Sequence, residues 1–424
     1  MRRYLTGIDW VINTLDYICK KKTGVGNISQ IVLELDGKLN EAILRERLVK
    51  CISQLPILCG YPARALNLCP YWKIDAKTSP LVLDTHYLDK SSSTREIISY
   101  FEDSLNKPFQ NKREHLIFNL AFVGEKSYLG MVFDHRLMEA RGAEAFLNLL
   151  GAEEVSLAAL SHPEEPSHLD NWLDKFRAGR KINRIFLRLA KTQARVLPQA
   201  KDNAKSKVRL VSFDTQESAR IIDGSFKEAG YLMFMPFLLA KCVIKLHRIF
   251  EQKEALSKEY FIPVSIDNRA QSLVKQDPFF NHLSFFLFRI TPLEAENFQL
   301  TLAAIKRQMY EQVSMGLPEA IKEASYLMRI APVSLVKLLL DLLARGENAS
   351  FSFSFVGESA YTADYFMQQK VNNIFHLPRV PYPPGIGIFF NQFKGKLNTT
   401  LSCFQGILSD PEIEEVIEAL KNLP

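Results

Sequence analysis

The chain has 424 residues, 47% of them hydrophobic and 24% charged. This length allows two hydrophobic cores and exceeds the usual size of a single domain, so we expect two domains. The formal net charge is only +6, from 53 basic and 47 acidic residues. Such a small basic excess does not indicate a nucleic-acid partner, and we expect none.

The six cysteines and the N-terminal segment both bear on the cellular compartment. No two cysteines form a Cys-x-x-Cys pair, and most lie among apolar residues, which favours buried free thiols in a reducing compartment. Asp9 and Asp16 interrupt the N-terminal segment, so it lacks the apolar core of a secretory signal. The apolar run 230–240 ends at Lys241, far short of the roughly 18 apolar residues of a membrane-spanning helix. We therefore expect a cytoplasmic protein in which this run is a buried helix.

The first third of the chain alternates between helical and strand-like spacing of apolar residues. This spacing predicts a helix over 5–17, a strand over 31–35 and a helix over 43–52. A β-hairpin follows, because apolar residues alternate over 116–122 and over 129–133 on either side of Gly124-Glu125-Lys126. From Ala140 the spacing becomes helical, and Gly151 marks the end of that helix.

The domain boundary is predicted within 152–207. The segment 161–166 is rich in turn-forming residues, and 199–207 is polar with almost no apolar residue. We expect an N-terminal lobe over 1–160, a crossover linker over 161–207 and a C-terminal lobe over 208–424. A strand over 208–213 and a helix over 216–226 repeat the order of elements at the start of the chain, which suggests two similar α/β lobes. Later strands are predicted over 260–264, 283–290, 349–356, 386–390 and 397–404, and later helices over 293–315, over 318–345 with breaks, and over 411–421.

The linker contains an unusual basic stretch. Eight Lys and Arg residues lie between Lys175 and Arg195 with no acidic residue among them, and apolar residues recur beside them at near-helical spacing. The segment 172–195 therefore predicts a basic amphipathic helix. Such a helix suits an anionic membrane surface, an acidic carrier protein or the phosphates of coenzyme A. The alternative is a solvated face of the crossover linker.

The segment 133–142 places a histidine at the end of an apolar strand and a carboxylate four residues later. A neutral histidine with its ordinary pKa of about 6.5 can accept a proton from a hydroxyl, amine or thiol near neutral pH. His135 is therefore a candidate general base, and Glu139 its candidate orienting acid. Alternatively, His135 is a polar cap of the strand, or the two residues bind a metal. No third and fourth ligand follow at useful spacing, so we expect no metal site. The other histidines, His115 and His376 among them, form no recognisable constellation.

The segment 134–140 resembles the His-x-x-x-Asp-Gly signature of the chloramphenicol acetyltransferase-like superfamily. That superfamily includes condensation domains, wax ester synthases and alcohol acyltransferases. By this resemblance the catalytic histidine is His135, the motif acid is Glu139, and Asp134 replaces a dispensable first histidine. Glu139 keeps the charge of the usual Asp with a longer reach, and Ala140 replaces a Gly, which would crowd any backbone that needs a positive φ. Gly142 is a neighbour of the motif.

Two further segments carry the resemblance, which extends over nearly the whole chain. The segment 261–269 is similar to the Pro-Val strand of these enzymes and to their Asp-x-Arg turn, here Asp267 and Arg269. The segment 352–357 is similar to a Ser-Asn-x-Gly segment near their active-site channel, with Phe355 where a polar residue is common. The resemblance implies an α/β (α+β) fold of two similar lobes, each a mixed β-sheet flanked by helices, with the active-site channel between them.

The activity that the resemblance implies is acyl transfer. The acyl group would come from a thioester of coenzyme A, or of phosphopantetheine on an acyl carrier protein, and pass to a hydroxyl or amine of a small acceptor. No tightly bound cofactor and no covalent acyl-enzyme are then expected. Glu139 would pair with an Arg and hold the loop of His135, and Ser352 or Ser354 would donate to the oxyanion unless both are ordinary strand residues. The alternative is a condensation-like binding or assembly module without activity, motivated by Glu139, Ala140 and Phe355.

Overall fold

The computed structural model describes residues 2–75, 77, 81–152, 172–189, 197, 200–267, 269, 277–344 and 349–423. Two six-stranded mixed β-sheets, each flanked by helices, form two lobes. The expected two-lobed α/β architecture is therefore confirmed. The six cysteines are all buried and free.

The helices and strands are numbered in chain order. The helices are α1 Gly7–Thr23, α2 Glu41–Gln54, α3 Thr94–Leu105, α4 Ala140–Gly151, α5 Trp172–Leu189, α6 Thr215–Ala229, α7 Phe234–Gln252, α8 Pro292–Ala295, α9 Phe298–Ser314, α10 Leu317–Met328, α11 Val333–Ala344 and α12 Asp410–Lys421, with a 3-10 turn over Pro56–Cys59. The strands are β1 Arg2–Tyr4, β2 Ile28–Leu35, β3 Tyr61–Arg64, β4 Pro70–Lys73, β5 Leu83–Leu88, β6 Leu116–Val123, β7 Lys126–Asp134, β8 Ser206–Ser212, β9 Tyr260–Asp267, β10 Leu283–Ile290, β11 Ser352–Glu358, β12 Tyr365–Phe366, β13 Gln369–Pro378, β14 Ile386–Phe393 and β15 Lys396–Phe404.

The sheet of the first lobe has the strand order β12-β13-β2-β7-β6-β5. The predicted hairpin forms β6 and β7, which pair from Leu116 opposite Phe133 to Val123 opposite Lys126. Gly124 turns the chain with a φ of +61°, a backbone region that suits glycine. Alternate apolar residues of both strands enter one buried cluster, as their period of two requires. This packing gives β7 a rigid end, from which His135 leaves.

The sheet of the second lobe has the order β10-β9-β11-β14-β15-β8, with β11 parallel to both of its neighbours. Helix α7 packs into the core of this lobe and begins at Phe234, four residues later than the apolar run predicts. The reason is local: Gly230 and Leu232 have φ angles of +95° and +61°, which end α6 and turn the chain before α7 starts.

The two lobes share strands. Although β12 and β13 belong to the second half of the chain, β13 pairs antiparallel with β2 of the first sheet, with His376 opposite Ile31. Sequence periodicity did not predict these two strands. The boundaries expected at residues 160 and 208 stay a prediction, because 153–171, 190–196 and 198–199 lie outside the described residues.

The predicted helices of the second lobe are shorter in the structure. The side chains of Thr291 and Asn297 cap α8 and α9, and these caps divide the helix predicted over 293–315. Pro332 precedes α11 and separates it from α10. The end of the helix predicted to reach residue 345 lies outside the described residues. Among the described helices none alone is long and apolar enough to span a membrane; α6 and α7, bent by 90°, meet that test only as a pair.

Candidate active site between the lobes

A cavity of about 240 Å³ contains His135. Residues of both lobes line it, and most of them are apolar. The polar and motif residues important for the site are His135, Ala140, Ser352, Ser354, His376 and Arg379. The tertiary structure thus brings the His motif and the serine segment of β11 to one cavity.

The backbone fixes the loop that follows β7. The His135 N–H donates to the carbonyl oxygen of Asn27 at 3.0 Å, and the Asp134 N–H donates to that of His115 at 2.9 Å. On the side of the second lobe, the Phe280 N–H donates to the carbonyl oxygen of Leu137 at 2.6 Å. The loop is therefore held from both sides of the cavity.

An asparagine, not an acid, orients the ring of His135. His135 Nδ1 lies 3.2 Å from Asn281 Oδ1, and Asn281 Nδ2 donates to the carbonyl oxygen of His135 at 3.0 Å and to Asp9 Oδ1 at 3.3 Å. Since both neighbours of Nδ2 are acceptors, the amide oxygen must face the ring, and Nδ1 must carry the ring proton. Nε2 is then the lone-pair nitrogen. Sequence reasoning missed Asn281 and Asp9, because no local pattern distinguishes either residue.

The electrostatics of the site favour a neutral ring. Burial lowers the pKa of His135 below its ordinary 6.5, while hydrogen bonds with its own backbone and with Asn281 and the charge of Asp134 oppose that effect. His135 is therefore deprotonated at neutral pH, which is the state that a general base requires. No described residue hydrogen-bonds to Nε2.

The motif acid lies away from the ring. Glu139 is the N-cap residue of α4 and forms an ion pair with Arg269, and both side chains are 3% exposed. Arg269 also donates from Nη1 to the carbonyl oxygen of Asp277 at 3.1 Å, and its Nε lies 3.3 Å from Asp267 Oδ1. Burial lowers the pKa of Arg269 to about 10, so it stays charged. The structure thus places the predicted Asp-x-Arg turn against the predicted motif acid, across the two lobes.

Asp134 is the centre of a separate buried network. Its carboxylate accepts from Arg136 Nε at 3.0 Å and Nη2 at 2.6 Å, and lies 2.9 Å from His115 Nδ1. Burial alone would raise the pKa of Asp134, but the Arg136 guanidinium and the hydrogen bonds from His115 and Arg136 hold it well below its ordinary value. Arg136 Nη1 also lies 3.4 Å from Asp16 Oδ2. Asp134 therefore ties the strand end to its surroundings, and the expectation that His115 has no constellation was wrong.

The structure explains two small residues of the motif. Ala140 is the first residue of α4 and has no positive φ, so the crowding expected there does not arise. Gly142 packs so closely on the segment before β10 that a Cβ would overlap the Pro278 carbonyl oxygen. Glycine is thus required at position 142, because the backbone of the segment that contains Pro278 approaches α4 closely there.

The serine segment lines the same cavity as His135. Ser352 and Ser354 lie on β11, and the hydroxyl of Ser354 is 3.3 Å from that of Ser265 on β9. Phe355 points to the helices of the second lobe, where its ring packs edge-on against Phe234 at 5.4 Å between centroids. It therefore joins the core of the second lobe.

A second histidine also lines the cavity. His376 Nε2 lies 2.8 Å from Glu144 Oε1, and Nδ1 is buried without a hydrogen-bond partner among the described residues. The expectation that His376 has no constellation was wrong, because its partner on α4 is 232 residues away in the chain. In the described ranges no three His, Cys, Asp or Glu residues are grouped as metal ligands.

No protein-family model matches this chain, and no curated protein sequence matches it. Solved structures are similar in fold. A trichothecene 15-O-acetyltransferase from Fusarium sporotrichioides is 11% identical with a TM-score of 0.72, and the match covers 99% of this chain and 94% of that one. The first condensation domain of the calcium-dependent antibiotic synthetase, in complex with a substrate analogue, is 12% identical with a TM-score of 0.71, over 100% and 95% of the two chains. A mutant starter condensation domain of rhizomide synthetase in complex with C8-CoA is 12% identical with a TM-score of 0.65, over 99% and 94%. The chain therefore has the two-lobed chloramphenicol acetyltransferase-like fold.

Proposed function

We propose that the protein is an acyltransferase that moves an acyl group from a thioester to a hydroxyl or amine, with His135 as general base. The observation that carries this proposal is the state of the His135 ring. Asn281 lies within hydrogen-bond distance of Nδ1, burial favours the neutral ring, and Nε2 has no hydrogen-bond partner among the described residues. His135 also lines the cavity. A thioester donor fits this arrangement, because an activated acyl group needs only a deprotonated acceptor and no covalent acyl-enzyme.

In the proposed reaction, His135 Nε2 takes the proton of the acceptor as its oxygen or nitrogen attacks the thioester carbonyl. The C–S bond then breaks in the tetrahedral intermediate, and the imidazolium returns the proton to the departing thiolate. Glu139 does not contact the substrate in this scheme; its ion pair with Arg269 holds the loop that presents His135. Ser354 or Ser352 would donate a hydrogen bond to the oxyanion, a role supported by their position in the same cavity.

The donor is proposed to be acyl-coenzyme A or acyl-phosphopantetheine on a carrier protein. A similar structure is a complex with C8-CoA, which supports coenzyme A thioesters as the first donors to use. No tightly bound cofactor is part of the proposed chemistry.

The alternative, an inactive binding module, loses two of its three arguments. Glu139 reaches an arginine despite being one carbon longer than the usual acid, and Ala140 lies in ordinary helical backbone. Phe355 alone does not argue against activity, because its ring packs into the core.

The test is thiol release from a panel of acyl-coenzyme A donors with pooled alcohol and amine acceptors. Wild type should turn over at least one pair, and His135→Ala should lose about 100- to 10,000-fold in rate while keeping its Tm. Equal rates in both folded proteins would exclude His135 as the base. If the folded wild type releases no thiol from acyl-coenzyme A or from carrier-bound donors, the result would favour the inactive module.

We also propose that α5 contacts an anionic membrane surface, which would make a cytoplasmic protein peripheral at the membrane. Arg177, Arg180, Lys181 and Arg184 line one groove, while Trp172, Leu173 and Phe176 are exposed large apolar side chains nearby on the same helix. Basic and aromatic groups together are typical of helices that lie in a lipid interface. The predicted extension over 190–195 lies outside the described residues.

Sedimentation with vesicles tests this surface. Wild type should sediment with phosphatidylserine vesicles and not with pure phosphatidylcholine, and changing Arg177, Arg180 and Arg184 to Gln should abolish the difference. A matched control changes three exposed lysines elsewhere, Lys50, Lys90 and Lys258, to Gln. Equal sedimentation of both triple variants would refute the assignment to α5. If α5 binds an acidic carrier protein and not the vesicles, the result would point to the carrier-dependent donor.

A further inference from the structure

A buried guanidinium without an anionic partner among the described residues lies in the wall of the cavity that contains His135. Arg379 is 3% exposed, and its Nε and Nη1 atoms are buried without a hydrogen-bond partner among the described residues. Its guanidinium lies over the ring of Phe404, 4.8 Å from the centroid. A ring face offers partial compensation, but an unpaired buried charge is costly.

The neighbours of Arg379 do not neutralise it. Cys19 interacts with it electrostatically, but burial raises the pKa of that thiol to about 11, so the thiol is uncharged at neutral pH. Burial also lowers the pKa of Arg379 to about 10, which leaves the guanidinium protonated. Three other arginines with little exposure are paired with carboxylates: Arg3 with Asp277, Arg136 with Asp134 and Arg269 with Glu139. Arg379 differs from them in lining the cavity.

His376 adds a second polar group to the same wall. Glu144 accepts from the Ala360 N–H at 2.7 Å and faces His376 Nε2 at 2.8 Å, so the carboxylate fixes the orientation of the ring. Nδ1 of His376 is then left to a ligand, because no described residue bonds to it. One cation and one ring nitrogen are thus available three residues apart in the chain.

The chemistry that Arg379 suits is an oxyanion, and the substrates offer two sources: a carboxylate of the acceptor or a phosphate of the donor. Among the described residues that line the cavity, Arg379 is the only Lys or Arg. One guanidinium matches the single charge and planar geometry of a carboxylate, whereas a phosphate carries more charge. A cavity of about 240 Å³ with mostly apolar walls also suits a small acceptor.

We propose that Arg379 binds the carboxylate of the acyl acceptor, which makes the acceptor a small hydroxy or amino carboxylate. The inference rests on the proposed acyl transfer, since it names the acceptor class of that reaction. His376 Nδ1 bonds a second polar group of the same molecule. The carboxylate then fixes the acceptor in the cavity with its hydroxyl or amine toward His135 Nε2.

Binding can be measured without catalysis. The probes are 3-hydroxybutyrate, its methyl ester and pantetheine 4′-phosphate, titrated at constant ionic strength and followed by ligand-observed NMR. Wild type and His135→Ala should bind 3-hydroxybutyrate in preference to the ester. Arg379→Met should lower the affinity for 3-hydroxybutyrate by roughly 10- to 100-fold and leave the affinity for the ester unchanged. Arg113→Met is the matched control, because Arg113 pairs with Asp75 outside the cavity.

The stability of the free variant separates a binding role from a structural one. Removal of an unpaired buried charge should leave the Tm of Arg379→Met unchanged or raise it, whereas loss of a structural group would lower it. A lower Tm, or equal binding of acid and ester by wild type, overturns the proposal. If pantetheine 4′-phosphate binds in a way that depends on Arg379 and 3-hydroxybutyrate does not bind, the site belongs to the donor, and this result also overturns the proposal.

Activity supplies the second measurement. With a competent thioester, hydroxy carboxylates should be acylated with a lower KM than their methyl esters, and Arg379→Met should raise KM for the acids alone. Failure of all transfer with intact carboxylate binding would contradict the proposed function and leave the binding site standing. Transfer with no preference for acids would support the proposed function and refute the role of Arg379.

Discussion

Asn281 faces Nδ1 of His135 through its amide oxygen at 3.2 Å, from a position 146 residues further along the chain. The second lobe thus sets the tautomer of a histidine that the first lobe presents. Glu139, the motif acid four residues after His135, has another role: it pairs with Arg269.

Substitution of Asn281 should change the pH dependence as well as the rate. Asn281→Ala frees the ring and should lower kcat/KM on the order of 100-fold, the cost of a misplaced catalytic group. Asn281→Asp keeps the acceptor but adds a negative charge, which raises the pKa of His135. The proposed base, His135, is active when neutral. As the pH is lowered, activity should therefore begin to fall at a higher pH in Asn281→Asp than in wild type. Measured kcat/KM profiles that superimpose for these two proteins would contradict the assignment.

Loss of the Glu139–Arg269 pair should cost stability. Glu139→Ala leaves the buried guanidinium of Arg269 with only its longer contact to Asp267, and we expect the free energy of unfolding to fall by about 3 kcal/mol. The double variant Glu139→Ala/Arg269→Met should lose less than the sum of the single losses, because it removes both members of the pair together. Denaturant unfolding measures both. As a control, loss of the more exposed pair of Asp75 and Arg113 should lower the free energy of unfolding much less, because solvent screens the two charges.

Gly142→Ala should destabilise the protein although alanine favours helices. The helical preference amounts to about 1 kcal/mol, whereas overlap with the Pro278 carbonyl oxygen should cost about 1–3 kcal/mol. Gly179→Ala on α5 is the control, because the atom nearest to its Cβ would be the end of the flexible Leu327 side chain. A higher Tm for Gly142→Ala than for wild type would refute the close approach.

Acid should weaken the network of Asp134. Its pKa is held well below 3.8 in the folded protein, so its contribution to stability is complete above the unfolded value and is lost as pH falls from about 4 through the folded pKa. The difference in unfolding free energy between wild type and Asp134→Asn should therefore be constant from pH 7 to about 5 and shrink below about 4. A constant difference down to pH 3 would contradict this account.

Local pattern was sufficient for several parts of the site. The hairpin before His135, the start of the helix at Ala140 and the serine strand all follow from the period of their apolar residues and from turn residues such as Gly124. The family resemblance added the pairing of Glu139 with an arginine, and the structure places Arg269 there.

The partners of these residues were beyond the reach of local pattern. Strand β13 carries His376 from the second half of the chain into the first sheet, next to Glu144 on α4, and no spacing signals that exchange. Arg379 looks like any other arginine in the sequence, and only its burial without a hydrogen-bond partner in the described part of the chain distinguishes it.

The sequence by itself determined the two-lobed α/β class and the strand end that carries His135, because side-chain period and turn chemistry act between residues close in the chain. The tertiary structure alone decided that Asn281 orients His135, that Arg269 meets Glu139 and that Arg379 lines the cavity. These contacts join distant segments, so they depend on strand order and on how the lobes pack, which local propensities do not encode.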